Sequence, residues 1–279
     1  MNISTSLNLY TSIGQSFEEK IIRAKKCGFR YLDFNITDYY GYKDSLYTQS
    51  NWKDWLKSVK EFADKEQVIF YQSHGLMYEA FKTDRYSNCL DEALRSIEAA
   101  KIMDVKWVVF HPVDYGPPKE FLKNNYEQLS PIVDYAEKLN IGIAIENIPR
   151  KLSNIYHEYG YKSDHLKEIK ESLGGKVGFC WDTGHANLTS KEQKNEILKL
   201  GKDLKVLHIA DNFGYSDDHM PPFYGDADWK DIMKGLRGVN YDGTFNFETH
   251  NFTKGLPDEL IDYAVSYLFK IGEYITINY

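Results

Sequence analysis

The chain is predicted to be an α/β protein, a single-domain (β/α)8 TIM barrel over residues 1–279, on three observations. Strand-like and helix-like runs alternate from one end to the other, and eight such pairs fit the length at about 35 residues each. With 279 residues, 42% of them hydrophobic, the chain can bury one large core, and no Pro/Gly/Ser-rich linker divides it. The competing fold, a doubly wound sheet, usually opens with a glycine-rich phosphate loop, and no GxGxxG follows Tyr10.

The first strand is expected over Ser4–Tyr10. Ser16 then offers a hydroxyl cap to a helix opening Phe17-Glu-Glu-Lys, and Gly28 is placed to end it. Tyr31–Ile36 reads as the second strand and Asn51–Lys65 as its helix. Val68–His74 is the third, followed by a helix Tyr86–Met103 with Leu90, Ala93, Leu94, Ile97 and Ala100 at helical spacing. Val105–His111 and Lys119–Leu139 form the fourth pair, and Ile141–Glu146 the fifth strand, with a helix near Ser163–Ser172. Val177–Asp182 is the sixth, with a helix from about Ser190. Leu204–His208 is the seventh, followed by a long Asp/Pro/Gly-rich loop and a helix at Trp229–Leu236. Thr244–Glu248 is the eighth, and a helix over Pro257–Ile271 closes the chain.

Alternation along the strands assigns their faces. In the fifth, Ile141, Ile143 and Ile145 oppose Gly142, Ala144 and Glu146. In the sixth, Val177, Phe179 and Trp181 oppose Gly178, Cys180 and Asp182. In the eighth, Phe245 and Phe247 oppose Thr244, Asn246 and Glu248. The bulky set suits the surrounding helices and the small or polar set the barrel interior. Each acid then falls inward at the C-terminal strand end, where barrel enzymes build their sites.

Six successive strands end in His74, His111, Glu146, Asp182, His208 and Glu248. Barrel closure would bring these ends around one mouth. Oxygen and imidazole donors suit Mn²⁺, Mg²⁺, Co²⁺ or Zn²⁺, and clustered carboxylates in a dry cavity require a cation. Taken singly, each residue has a plainer reading. A strand-end histidine is commonly a satisfied core residue, and Asp182 before Thr183-Gly184 fits a helix cap. Glu146 and Glu248 have no such outlet, because glutamate is a poor strand residue and costly to bury unpaired.

A net charge of −7 argues against a polyanionic partner, so no nucleic acid is expected. No apolar stretch approaches the roughly 20 residues needed to span a bilayer. The sequence MNISTSLNLY has neither the charged start nor the apolar run of a signal peptide. Cys27, Cys89 and Cys180 form no CxxC pattern and read as reduced thiols, Cys180 facing the core. Together these predict a cytoplasmic protein.

The motifs Ile145-Glu-Asn147, Trp181-Asp-Thr-Gly-His185, Leu207-His-Ile-Ala-Asp211, Asp217-Asp-His219 with Gly225, and Phe247-Glu-Thr249 occur in that order. With them the chain resembles the xylose isomerase-like superfamily of metal-dependent TIM barrels, in its sugar phosphate isomerase/epimerase branch. The resemblance implies one divalent metal held by Glu146, Asp182, His208 and Glu248. It also implies Glu146 and Glu248 as the two catalytic acid/base groups, working next to a carbonyl through a metal-stabilised enediolate. His74, His111, His185, Asp217, His219 and Arg150 are candidates for substrate or a second metal, Arg150 through a phosphate or carboxylate. The implied substrate is a small sugar or sugar phosphate, and a homo-oligomer is possible by analogy.

Endonuclease IV-type apurinic-site nucleases of the same superfamily find matches in His74, His111, Glu146, Asp182, His185, His208, Asp217, His219 and Glu248 for a three-zinc set. Against that alternative, Glu146 continues as Asn-Ile-Pro-Arg rather than with glycines, and no cysteine precedes His185. A non-catalytic carbohydrate-binding barrel is a further alternative, although binding alone does not call for a carboxylate on each face of a substrate. His250 would face inward, whereas His157 and His165 read as loop or helix residues. Trp107, Tyr39, Tyr40 and Tyr115 are candidates for stacking on a sugar face.

Overall fold

The computed structural model describes residues 1–10, 16–35, 49–75, 86–114, 116–152 and 155–279, without the side chains of 86–89, 152 and 155. Ile36, Tyr39, Tyr40, Tyr115 and the Cys89 side chain lie outside the described part. The parallel strands are β1 (Asn2–Ser6), β2 (Tyr31–Asn35), β3 (Ile69–His74), β4 (Trp107–Phe110) and β5 (Gly142–Glu146), then β8 (Val177–Asp182), β9 (Leu204–His208) and β10 (Thr244–Phe247). A small antiparallel hairpin, β6 (Lys151–Leu152) and β7 (Ile155–Tyr156), projects from the loop after β5. The sheet runs β10-β1-β2-β3-β4-β5-β8-β9. Its ends meet where the Ile209 amide donates to Asn246 O at 2.8 Å and the Glu248 amide to Ile209 O at 3.0 Å. The predicted eight-stranded barrel is therefore the fold.

Side-chain size sorts the two faces as the alternation requires. Ile143, Ile145, Val177, Phe179, Trp181, Phe245 and Phe247 join the layer between strands and helices. Ala144 and Cys180 meet Val109 and Val206 inside the barrel. At the N-terminal end Trp107 closes this inner core together with Tyr71. A Cβ on Gly142 would collide with the Trp107 ring, and one on Gly178 would come within 3.0 Å of it. The two inward glycines are thus the space the indole fills. Trp107 opens β4, at the end opposite the strand-end acids, which corrects the expectation that it stacks on a sugar.

Ser16 caps the helix Phe17–Lys26 as expected, in a reciprocal box: its Oγ accepts from the Glu19 amide at 3.2 Å, and Glu19 Oε2 accepts from the Ser16 amide at 2.8 Å. Gly28 follows with φ 110°, a left-handed conformation that suits glycine. Other boundaries moved. The first strand stops at Ser6, because Ser6 Oγ bonds to Asn8 Oδ1 and Leu7–Tyr10 winds into a 3₁₀ turn with every residue buried. The helix expected near Ser190 begins at Lys194, since Asp182 instead caps its own short helix, Thr183–Asn187. The final helix runs Asp258–Asn278, well past Ile271. No helix among the described residues is long and apolar enough to cross a membrane.

Candidate active site

Parallel pairing brings the strand ends to one rim, with His74 beside Val109 and Asp182 beside His208. At the centre, His208 Nδ1 lies 2.8 Å from Glu146 Oε1 and 3.3 Å from Glu248 Oε2. The other Glu146 oxygen, Oε2, faces His111 Nε2 at 3.1 Å and His74 Nε2 at 3.4 Å. Asp182 stands on the next strand with its Oδ1 accepting from the His185 amide at 2.5 Å. Asp182 caps a helix, as its position before Thr183-Gly184 suggests, and is fully buried among Glu146, Glu248, His185 and Asp217.

A second group adjoins the first. His185 Nε2 and His219 Nε2 lie 3.2 and 2.9 Å from Asp217 Oδ2, and His250 packs on His219 with ring centroids 4.0 Å apart. Potential ligand atoms lie within 4.8 Å of one another in His74/His208/Glu248, in His74/His111/Glu146 and in His185/Asp217/His219. Three histidines share one device. Nδ1 of His74 lies 2.7 Å from Gly75 O, that of His185 2.8 Å from Asn147 O, and that of His219 3.0 Å from Glu248 O. A carbonyl only accepts, so each Nδ1 carries a hydrogen, and in the neutral ring Nε2 is left as the ligand or proton acceptor.

Electrostatics follow from burial. Burial pushes the Asp182 carboxyl up to about 7, with Glu146, Glu248 and Asp217 adding to the rise and His185 opposing it. For Glu146, burial is outweighed by His208 and His111, which hold it well below the ordinary carboxylate range. Burial would lower His208, but neighbouring anionic groups including Glu146 and Glu248 raise it well above a free imidazole. The same contest, against Asp217 and Glu248, carries His219 up to about 9. His250, desolvated beside His219, falls to about 4. Burial drives the Cys180 thiol strongly upward. Its sulfur lies within 4.8 Å of potential ligand atoms of Glu146 and His208, at a depth where burial disfavours the thiolate.

The donors fit a hard or borderline divalent cation. Among the described residues, Asp182 Oδ2 and Asp217 Oδ1 are buried without a hydrogen-bond partner, an arrangement that is costly unless a cation or substrate engages it. Arg150 is exposed, its guanidinium over the Tyr161 ring at 5.5 Å, and it enters none of the site's ion pairs among the described residues. His157 and His165 lie away from the cluster, paired with Asp114 at 3.1 Å and stacked on Tyr159.

Residues 21–271 match the sequence profile of the xylose isomerase-like TIM barrel. The chain belongs to that family. Among xylose isomerase-like relatives, the fructoselysine 3-epimerase of Shigella flexneri is 24% identical over 197 residues, 67% of this chain and 70% of that one. The crystal structure of a D-tagatose 3-epimerase-like protein superposes with a TM-score of 0.76 at 23% identity, covering 99% of both chains. That of the IolI protein with a bound zinc atom gives 0.75 at 15% identity, covering 100% of this chain and 97% of that one.

Several residues support this xylose isomerase-like site: Asn147, Asp211 and Gly225 stand in the sequence motifs, whereas Asp33 and Gln72 emerge only from the structure. Asp33, on β2, is buried beneath His208 with its Oδ2 3.7 Å from His208 Nε2, and it accepts from Gln72 and Asn246 at 3.0 Å each. The Tyr31-Leu32-Asp33-Phe34-Asn35 alternation carries the signal that would have found it. Asn147 ties β5 to β8 by accepting from the Asp182 amide at 2.7 Å and donating to Asp182 O at 3.0 Å. Asp211 accepts from the amides of Asn212, Phe223 and Ala227 and from Trp229 Nε1, all at 2.9–3.1 Å. That anchor holds the loop carrying Asp217 and His219. A Cβ on Gly225 would strike Asn212 O and Asp211 Oδ1, so only glycine lets the loop close over the acid.

Proposed function

We propose that the chain is a divalent-metal-dependent isomerase or epimerase acting on a small open-chain sugar or sugar phosphate. The observation that carries this reading is the pair of glutamates, Glu146 fully buried and Glu248 partly so, both within 3.3 Å of the same His208 nitrogen. Two carboxylates converging on one centre suit removal of a proton next to a carbonyl and its return. The ketose 3-epimerase names among its relatives support the same chemistry.

Glu146, Asp182, His208 and Glu248 would hold the cation. When bound, it would supply positive charge to the oxygens flanking the reacting carbon. Glu146, kept ionised by His208 and His111, is ready to accept the proton, and in an epimerisation Glu248, after taking a proton from solvent, would return one from the other side. His185, fixed by Asn147 O and Asp217, is placed to donate to a substrate oxygen through Nε2 when protonated.

Incubation with Mn²⁺ and a panel of ketoses in D₂O should place deuterium at the carbon next to the carbonyl. Glu146→Gln and Glu248→Gln should each abolish that exchange. Unchanged exchange in both variants would sink the mechanism. The additional ligand groups around His74/His111 and Asp217/His219 favour a second reading, the three-zinc apurinic-site nuclease. About three zinc ions per chain with cleavage of an abasic-site duplex would establish it, whereas one ion without nicking removes it.

A further inference from the structure

The last helix, Asp258–Asn278, is apolar on both sides. Its inner face, Ile261, Val265, Leu268, Ile271, Gly272 and Ile275, is buried against the barrel, with Gly272 close to Ile3 and Phe247. Opposite, Leu260, Tyr263, Tyr267, Tyr274 and Ile277 are 49, 76, 52, 51 and 75% exposed. The outward face of the helix Trp52–Lys65, by contrast, carries exposed Lys53, Asp54, Lys57, Glu61 and Asp64. The outer stripe advances by three and four residues in turn, with Lys270 at the one polar step, a heptad seam whose side chains stay largely exposed, Tyr274 alone resting on the rings of Phe223 and Tyr279 among the described residues.

We infer that this stripe is the interface for a second copy of the same chain, packed antiparallel about a twofold axis near Leu268 and Phe269. The stripe is complementary to itself when reversed. Leu260 then opposes Ile277 of the other copy, Tyr263 opposes Tyr274, and Tyr267 opposes Lys270. These pairings are aliphatic on aliphatic, ring on ring, and ammonium over a phenol face. A parallel pairing would set Lys270 against Lys270. An isologous contact needs this self-matching, and an unrelated partner would not.

The flanking charges do not oppose the contact. Asp258 and Asp262 are already paired with Arg23 at 2.5 and 2.8 Å, and Glu273 with Lys270 at 2.6 Å. Phe223, 48% exposed and 6.1 Å from the Tyr274 ring, extends the patch onto the loop that bears Asp217 and His219. Taking roughly 150–250 Å² for a whole aromatic side chain, the exposed parts come to about 600 Å² per copy. With rim residues added, that approaches the roughly 800 Å² per partner of a standard interface. Pairing would brace the mouth loop from outside.

Sedimentation velocity on the full chain at micromolar to tens of micromolar concentration should show a species of twice 32.5 kDa. Tyr263→Lys and Tyr274→Glu should each sediment as monomers with unchanged circular dichroism. Mixed in equal amounts they should recover a dimer, because lysine then faces glutamate at one end and native tyrosines meet at the other. Ile277→Lys provides an independent disruption if either tyrosine variant misfolds. A wild-type monomer at the highest concentration, or a dimer that survives these substitutions, overturns the inference. Monomeric variants that do not pair on mixing overturn the antiparallel register.

Discussion

Replacing Asp182 by asparagine should strengthen the metal-free fold while destroying its metal affinity. Asp182 is fully buried, and burial lifts its carboxyl from 3.8 to about 7. Three units at ~1.4 kcal/mol each give ~4 kcal/mol of destabilisation once the group is ionised in the folded state. Because the folded pKa lies above the unfolded one, the cost is absent below pH 4, grows between 4 and 7 and is complete above 7. Asparagine keeps the oxygen that accepts from the His185 amide and caps a helix as well as aspartate does. The rise to about 7 already includes the opposing attraction of His185, so the variant should gain about 4 kcal/mol. Urea unfolding in chelator should therefore show Asp182→Asn matching wild type at pH 4 and exceeding it at pH 8. Adding Mn²⁺ at about a hundred times its Kd should stabilise only wild type, by about 2.7 kcal/mol. A variant weaker than wild type at pH 8 in chelator, or one that keeps the metal-induced gain, would refute the reasoning.

Asp33→Asn should weaken metal binding about tenfold in a chelator competition, because it removes the charge beneath His208 Nε2; unchanged affinity would leave Asp33 with a packing role only. Gly142→Ala should cost about 1–3 kcal/mol by overpacking against Trp107, and Trp107→Leu in the same chain should restore most of it. A purely additive double variant would contradict that contact. Asp211→Ala should free the loop, appearing as faster amide exchange over 212–227 and weaker substrate binding, with the barrel's unfolding midpoint little changed.

The site was legible where one rule acted without competition. In β5, β8 and β10 the outer face must pack on helices and the inner face must be small or polar, so Glu146 and Asp182 could be placed inward from alternation alone. Helix ends near the mouth were less legible. Asp182 diverts the chain into a five-residue helix, and such a turn is too short to leave a periodicity. Leu7–Tyr10 reads as strand because its apolar run fits either geometry, and the deciding contact is the local Ser6–Asn8 bond. Asp33 and Gln72 are not legible from strand termini, because these polar groups sit one layer deeper, where Asp33 answers to Gln72 and to the inward Asn246 across the barrel. Trp107 shows the same limit in reverse. An aromatic residue on an inward strand position can serve either end of a barrel, and only its register with Gly142 decides which.

The indole at the barrel floor makes the interior a cul-de-sac. On the proposed reading, reactant and product would both pass the rim made by the strand ends and by the loop that Asp211 pins, because Trp107 packs the opposite end. A change in the molecules accepted would then be sought in the residues of that rim, with the floor left as it is.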